Sequence, residues 1–166
     1  NIGLLEISGN FSVSTEEILS IITKCHEGND VTYADIDRDI FNIKDMGYFQ
    51  DVKFTLSNYI NNSQILRIEL QEYPIVKEVQ INISGPGLIS KKTLEEYVTV
   101  ETDKALNFKR LIRTQNALKN QYLMSGYQLL EIKNNVQEDE FGSYLPEGVL
   151  IIDIWEYALY DIVLKG

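Results

Sequence analysis

The sequence predicts an α+β fold written twice in tandem, each copy a β-α-α-β-β module with a three-stranded sheet packed on two helices. Three observations predict it. A set of landmarks recurs in fixed order. The apolar spacing switches between helical and alternating periods. In each copy both helical stretches precede a pair of alternating strands.

The first landmark is an alternating strand ending in Ser-Gly: Leu5, Ile7, Ser8 and Gly9 against Ile81, Ile83, Ser84 and Gly85. The second is Met46-Gly47-Tyr48 against Ser125-Gly126-Tyr127. The third is an alternating strand ending Glu72-Tyr73 against Glu156-Tyr157. The spacing between partners grows along the chain because the second copy has longer loops. Residues 1–73 and 74–157 are therefore expected to be modules. Residues 158–166 are expected to open a third, because Asp161-Ile162-Val163-Leu164-Lys165-Gly166 echoes the strand before Gly9 and Gly85.

In the first copy, Leu5 and Ile7 form the opening strand. Ser14 is suited to cap a helix, and Glu17 three residues on completes a capping box. Ile18, Ile21 and Ile22 share that helix's apolar face. A loop runs through Glu27, Gly28, Asn29 and Asp30. Thr32 caps a second helix with the stripe Ile36, Ile40 and Ile43, and Gly47 ends it. Val52, Phe54 and Leu56 alternate with Lys53, Thr55 and Ser57. After a turn at Asn61-Asn62, Leu66, Ile68 and Leu70 alternate with Arg67, Glu69 and Gln71, giving an antiparallel hairpin.

The second copy repeats the plan. Val79, Ile81 and Ile83 make the first strand, and Ser90 caps a helix containing Leu94 and Tyr97. A helix from about Phe108 to Met124 carries Leu111, Leu118 and Tyr122 on one side and stops at Gly126. Leu130 and Ile132 open a strand; Leu150, Ile152 and Ile154 form the last. Between them residues 134–148 read as a long irregular acidic loop around Glu138, Asp139 and Glu140, either mobile or a contact site. Pro74 restricts Tyr73 to extended backbone and stiffens the joint between copies.

Charge narrows the function. A net charge of −10 opposes nucleic-acid binding, which needs clustered Lys and Arg, and opposes anionic membrane surfaces. No run of about 18 apolar residues offers a membrane helix. One cysteine, Cys25, excludes an internal disulfide framework. The chain starts without Met and reads as a piece of a longer protein.

The pattern resembles the polypeptide-transport-associated (POTRA) repeats of outer-membrane β-barrel assembly factors, the BamA-like family. The residues carrying the resemblance are Ile7-Ser8-Gly9-Asn10, Val13-Ser14, Glu16-Glu17-Ile18, Asp35-Ile36, Asp39-Ile40, Ile43, and above all Met46-Gly47-Tyr48-Phe49-Gln50-Asp51-Val52. The closing Glu72-Tyr73-Pro74 also fits. The likeness covers the whole chain. In the second copy Gly126-Tyr127 is followed by Gln128-Leu129, and Gly85-Pro86-Gly87 replaces Gly-Asn. The resemblance implies a periplasmic location and a C-terminal membrane β-barrel. It also implies a role in receiving unfolded outer-membrane proteins and accessory assembly subunits. In POTRA-like domains the second strand is usually the exposed edge. The candidate edges are Val52, Lys53, Phe54, Thr55 and Leu56, and Leu130, Glu131, Ile132 and Lys133. An open edge accepts an extended peptide through backbone hydrogen bonds, with little sequence demand. Lys53 and Lys133 are equally the charges that blunt edge pairing.

Other residues carry structural expectations. Gly9, Gly47, Gly85 and Gly126 end strands or helices; Tyr48 and Phe49 anchor the core, and Tyr127 is structural. Trp155 and Tyr157 alternate out of register with Leu150, Ile152 and Ile154. With Tyr73 and Pro74 they either cover a joint between modules or lie half-buried under their own loop. No catalytic constellation is expected. The adjacent Cys25-His26 sits in a loop and does not form a supported dyad. Glu138-Asp139-Glu140 lacks the Gly and terminal Glu of a calcium loop. Gly85-Pro86-Gly87 is no dinucleotide fingerprint. Neither a metal nor a cofactor is implied.

Three other functions fit less well. A two-partner secretion transporter carries two such modules before its barrel. A cell-division scaffold carries one. An unrelated acidic enzyme fragment of ferredoxin-like topology would place strands between its helices.

Overall fold

The computed structural model describes residues 1–157; the expected third-module strand at 158–166 lies outside the described residues. The chain divides into two units. One comprises Asn1–Tyr73 and Lys104–Lys109, the other Pro74–Asp103 and the described residues from Arg110 onward.

The first unit holds β1 (Ile2–Ser8), α1 (Thr15–Ile21), α2 (Tyr33–Asp45), β2 (Phe49–Asn58) and β3 (Gln64–Glu72). Ser14 Oγ accepts the Glu17 amide and starts α1. The expected reciprocal bond from the Glu17 side chain is replaced: its carboxylate takes Lys104 Nζ at 3.0 Å, because a full ammonium outcompetes one backbone N–H. The complete capping box belongs to α2, where Thr32 and Asp35 exchange side-chain bonds with each other's amides. β3 lies at the centre, parallel to β1 and antiparallel to β2. The hairpin turns through Asn61 and Asn62, at φ 56° and 59°, a left-handed backbone that Asn tolerates better than branched residues. The buried side chains Ile18, Ile36 and Ile43 meet Leu66 and Ile68 of the central strand. Burial of each stabilises the unit by about 2 kcal/mol.

The segment Lys104–Lys109 belongs to this unit although the repeat assigns it to the second copy. The Ala105 amide donates to Ser12 Oγ at 2.8 Å, Asn107 Nδ2 to the Met46 carbonyl at 2.9 Å, and the Phe108 amide to the Gly47 carbonyl at 2.8 Å. The Phe108 ring stacks on Tyr73 at 5.2 Å. Gly47 is at φ 97°, and a Cβ there would lie 2.2 Å from Asn107 Oδ1. Both the left-handed backbone and the close approach demand glycine.

The remaining elements are β4 (Ile75–Val76), β5 (Glu78–Ser84), α3 (Lys91–Glu95), β6 (Lys104–Ala105), α4 (Phe108–Met124), β7 (Leu130–Asn134), β8 (Gln137–Asp139), β9 (Gly142–Tyr144) and β10 (Val149–Glu156). The second unit repeats the sheet: β10 is central, parallel to β5 and antiparallel to β7. Leu111, Leu118, Tyr122, Leu150, Ile152 and Ile154 are fully buried in it. Two expectations are corrected. Tyr97 falls after α3 and not within it, on a turn whose amide reaches the Leu94 carbonyl at 3.0 Å. The segment 134–148 is not irregular: β8 and β9 pair as a hairpin around Glu140-Phe141. Asp139 Oδ1 takes the Phe141 amide at 2.8 Å, and Gly142 at φ 117° lets the chain return.

Candidate functional site

Each sheet ends in the strand named from the sequence as an edge. β2 flanks the first sheet and β7 the second. In β2, Val52 is buried, Phe54 and Leu56 are half-buried, and Lys53 and Thr55 are exposed. In β7, Leu130 and Ile132 are half-buried while Glu131 and Lys133 are exposed. The two edges share a charge device. Lys53 pairs with Asp51 at 3.4 Å, and Lys133 pairs with Glu131 at 3.2 Å. Such exposed pairs contribute little stability, so they separate easily. While closed, each presents a nearly neutral rim. Gln50 bulges out of the ladder between Phe49 and Asp51, and its Nε2 donates to the Glu72 carbonyl at 2.9 Å. Bulges of this kind twist an edge. Beside β7 a groove of about 310 Å³ runs along α4, lined by Gln115, Asn116, Lys119, Leu130, Glu131 and Ile132.

Tyr48 and Phe49 are buried, their rings edge to face at 6.5 Å. Lys104 Nζ sits 4.6 Å from the Tyr48 ring centroid. Their counterpart Tyr127 is different: more than a third exposed, it edges onto the buried Tyr122 at 6.5 Å. With Leu88, Leu129 and Tyr157 it lines a cleft of about 270 Å³ in the second unit. Trp155 is 43% exposed, and Tyr157 donates to Glu131 Oε2 at 3.3 Å. Tyr73 and Pro74 are half-buried.

In the sequence the acid of each Glu-Tyr step is a landmark without a task. Structurally it is a lock. Glu72 accepts the amides of Phe11, Ser12 and Val13 and the Ser12 hydroxyl. Glu156, 5% exposed, accepts the amides of Gly87 and Leu88 and the Tyr122 hydroxyl at 2.7 Å. Each carboxylate ties the end of the last strand to the loop after the first. Gly9 and Gly85 allow the approach: a Cβ at Gly9 would meet the Leu70 carbonyl at 1.9 Å, and one at Gly85 the Glu156 Cβ at 2.6 Å. Burial, and then the Glu156 hydrogen bond, push the Tyr122 phenol well above its ordinary value. Recurrence of an acid at the same step was the available signal.

Asp39, in the sequence only part of the Asp39-Ile40 step, is fully buried on α2 and has a role the sequence does not show. Burial pushes its carboxyl up, but the amides of Thr23, Lys24 and Cys25 and the Thr23 hydroxyl outweigh that and hold it at about 2. The same loop carries Cys25 and His26. Burial, reinforced by Asp39, pushes the Cys25 thiol up to about 12. His26 Nε2 lies 2.8 Å from the Ile22 carbonyl. A protonated, buried thiol is a poor nucleophile. Among the described residues no three His, Cys, Asp or Glu side chains converge on a metal position, and no helix is long and apolar enough to cross a membrane.

A three-stranded sheet with its last strand in the centre, its first strand parallel and its second antiparallel, and two helices inserted between the first two strands defines the class. The chain has the POTRA fold. Among solved structures, the N-terminal domain of Omp85 from the thermophilic cyanobacterium Thermosynechococcus elongatus matches at TM-score 0.68 and 18% identity, over 92% of this chain and 61% of that one. POTRA1-2 of the periplasmic domain of Omp85 from Anabaena matches at TM-score 0.63 and 19% identity, over 95% and 96%. POTRA1-3 of the same Anabaena domain matches at TM-score 0.64 and 19% identity, over 92% and 60%. The chain thus spans less than two thirds of the first of these, and what is shared at such identities is the fold. No family model matches the sequence, and no curated protein matches it.

Proposed function

We propose that this chain is the periplasmic POTRA region of an outer-membrane protein assembly factor. It binds unfolded outer-membrane protein clients and accessory subunits as added strands, beside a membrane β-barrel, and catalyses nothing. The observation that carries this reading is the repeated edge. In both units a strand with an exposed polar face and a half-buried apolar face ends the sheet, and in the second a groove runs between that strand and its helix. Backbone pairing supplies affinity for many sequences, and the groove accepts alternate side chains. The raised, buried Cys25 thiol is a poor nucleophile, which suits a binding role.

The test is a synthetic ten-residue peptide copying one strand of an outer-membrane β-barrel, titrated into the isotope-labelled chain. Amide shifts should concentrate on residues of β2 or β7. Leu56→Pro or Ile132→Pro removes one outward backbone donor from an edge and should weaken binding there by about tenfold, the cost of roughly one hydrogen bond. Unchanged affinity in both variants, with circular dichroism reporting an intact fold, counts against strand addition.

A further inference from the structure

The first sheet has two edges, and the structure treats them differently. β1 is the edge opposite β2. The loop between α1 and α2 occupies the outward backbone groups at the start of this strand. The Ile2 amide donates to the Asn29 carbonyl at 3.0 Å, and the Gly28 amide donates to the Ile2 carbonyl at 2.7 Å. One bridge of backbone therefore covers the start of the strand. Gly3 then bulges, since the register with β3 slips between Ile2 and Leu4. Beyond the bulge the next outward donor is the Leu5 amide, and Glu27 Oε1 accepts it at 3.1 Å. The loop backbone has by then left the edge, so a side chain finishes what the backbone began.

We infer that Glu27 seals the β1 edge, so that an extended polypeptide adds to the first sheet only through β2. The inference rests on the strand-addition reading above and assigns it a direction. Three features support it. First, the carboxylate sits where an incoming strand's carbonyl would have to sit, accepting the Leu5 amide. Second, without it β1 would offer a site as inviting as β2. A groove of about 330 Å³ lies against its helix-facing side, lined by Leu5, Ile7, Thr15, Leu19, His26 and Glu27, with Leu5 and Ile7 half-buried. An unpaired edge beside an apolar groove is a template for unwanted pairing. Third, the other contacts of the loop hold Glu27 in place: Asn29 Nδ2 donates to the Lys24 carbonyl at 3.1 Å, and the His26 amide to the same carbonyl at 2.9 Å. A carboxylate is a strong acceptor for one N–H, and its charge also repels the acidic segments that an acidic chain of net charge −10 would present to a second copy of itself.

The experiment uses the full chain with a photo-crosslinking residue at Ser8 on β1 or at Thr55 on β2, and the same ten-residue strand peptide as probe. With Glu27 intact, position 55 should capture the peptide and position 8 should not. In Glu27→Ala, capture at position 8 should rise at least tenfold, and exchange of the Leu5 amide with solvent should accelerate by a similar factor. Glu27→Gln keeps an acceptor oxygen and should leave both readouts near the unsubstituted chain, which separates the hydrogen bond from the charge. Capture at position 8 while Glu27 is intact overturns the inference. So does a Glu27→Ala chain whose Leu5 amide exchanges no faster. If neither position captures peptide in any variant, strand addition itself fails, while the Leu5 exchange rate still decides whether Glu27 closes the edge.

Discussion

At the scale of single residues, the strongest determinants are buried acids whose partners are backbone amides. Asp39 is the clearest case. Its folded value of about 2 lies below the ordinary 3.8, so the folded state favours the carboxylate. A lowered folded value contributes stability that is present above about pH 4 and is lost as pH falls toward 2. The shift corresponds to about 2 kcal/mol. Thermal melts of the first unit, followed between pH 5 and pH 2, should show that loss, and Asp39→Asn should flatten the dependence. At pH 7, Asp39→Ala should cost about 3 kcal/mol, because three amides and a hydroxyl lose their acceptor. The neighbouring Cys25 gives an independent check: its raised thiol should resist a maleimide reagent at pH 8 in the folded chain and react promptly in denaturant. In the sequence Asp39 stands out only as part of the Asp39-Ile40 step, and its role was illegible there. It sits among Ile36, Ile40 and Ile43 on a helix, and a polar residue within an apolar stripe reads as an interruption unless its partners are known. Those partners are backbone groups, which carry no sequence signature.

At the scale of elements, what the sequence displayed well was periodicity and capping. The stripe of α2, the alternation of β2 and β3, the Ser14 and Thr32 caps and the helix stop at Gly47 are local properties, and the structure has them where the pattern places them. Pairing was less visible. Nothing local says that β3 and β10 lie at the centre of their sheets, or that a hairpin forms within 134–148. That hairpin is three residues on each side, too short for alternation to register, and it leaves Phe141 79% exposed at its turn. The Glu locks occupy the middle ground: their recurrence was readable, their geometry was not. Their weight is testable. Glu72→Ala removes the acceptor of three loop amides and should destabilise the first unit by about 2 kcal/mol, measured by urea unfolding. Glu156→Ala should do the same to the second unit, and should also let the Tyr122 phenol titrate nearer its ordinary value in an absorbance scan at alkaline pH. Equal stability of either variant and the parent chain would mean that the loops hold themselves.

At the scale of the whole molecule, the repeat in the sequence and the units in the structure draw their boundaries differently. Within the described residues the repeat breaks once, between Tyr73 and Pro74; the packing breaks there too, but it returns Lys104–Lys109 to the first unit. Periodicity could not foresee this. Six residues running from β6 into the first turn of α4 are too few to show a period, and their partners are scattered: the Met46 carbonyl for Asn107, the Gly47 carbonyl for Phe108, Ser12 Oγ for Ala105 and the Glu17 carboxylate for Lys104. Tandem landmarks identify what each copy must contain, not which residues a copy borrows. The borrowing has a measurable consequence, because a stretch late in the chain should govern the local stability of one early in it. Asn107→Ala deletes the donor to Met46 at a residue only 5% exposed, and leaves that carbonyl without its side-chain partner. Native-state hydrogen exchange should then show the amides of Gly47, Tyr48 and the start of β2 opening about tenfold faster, equivalent to about 1.4 kcal/mol. Amides of β5 and β10 should keep their protection. The reverse pattern, with loss confined to β5 and β10, would assign the segment to the second unit and return the boundary to the one the repeat alone suggests.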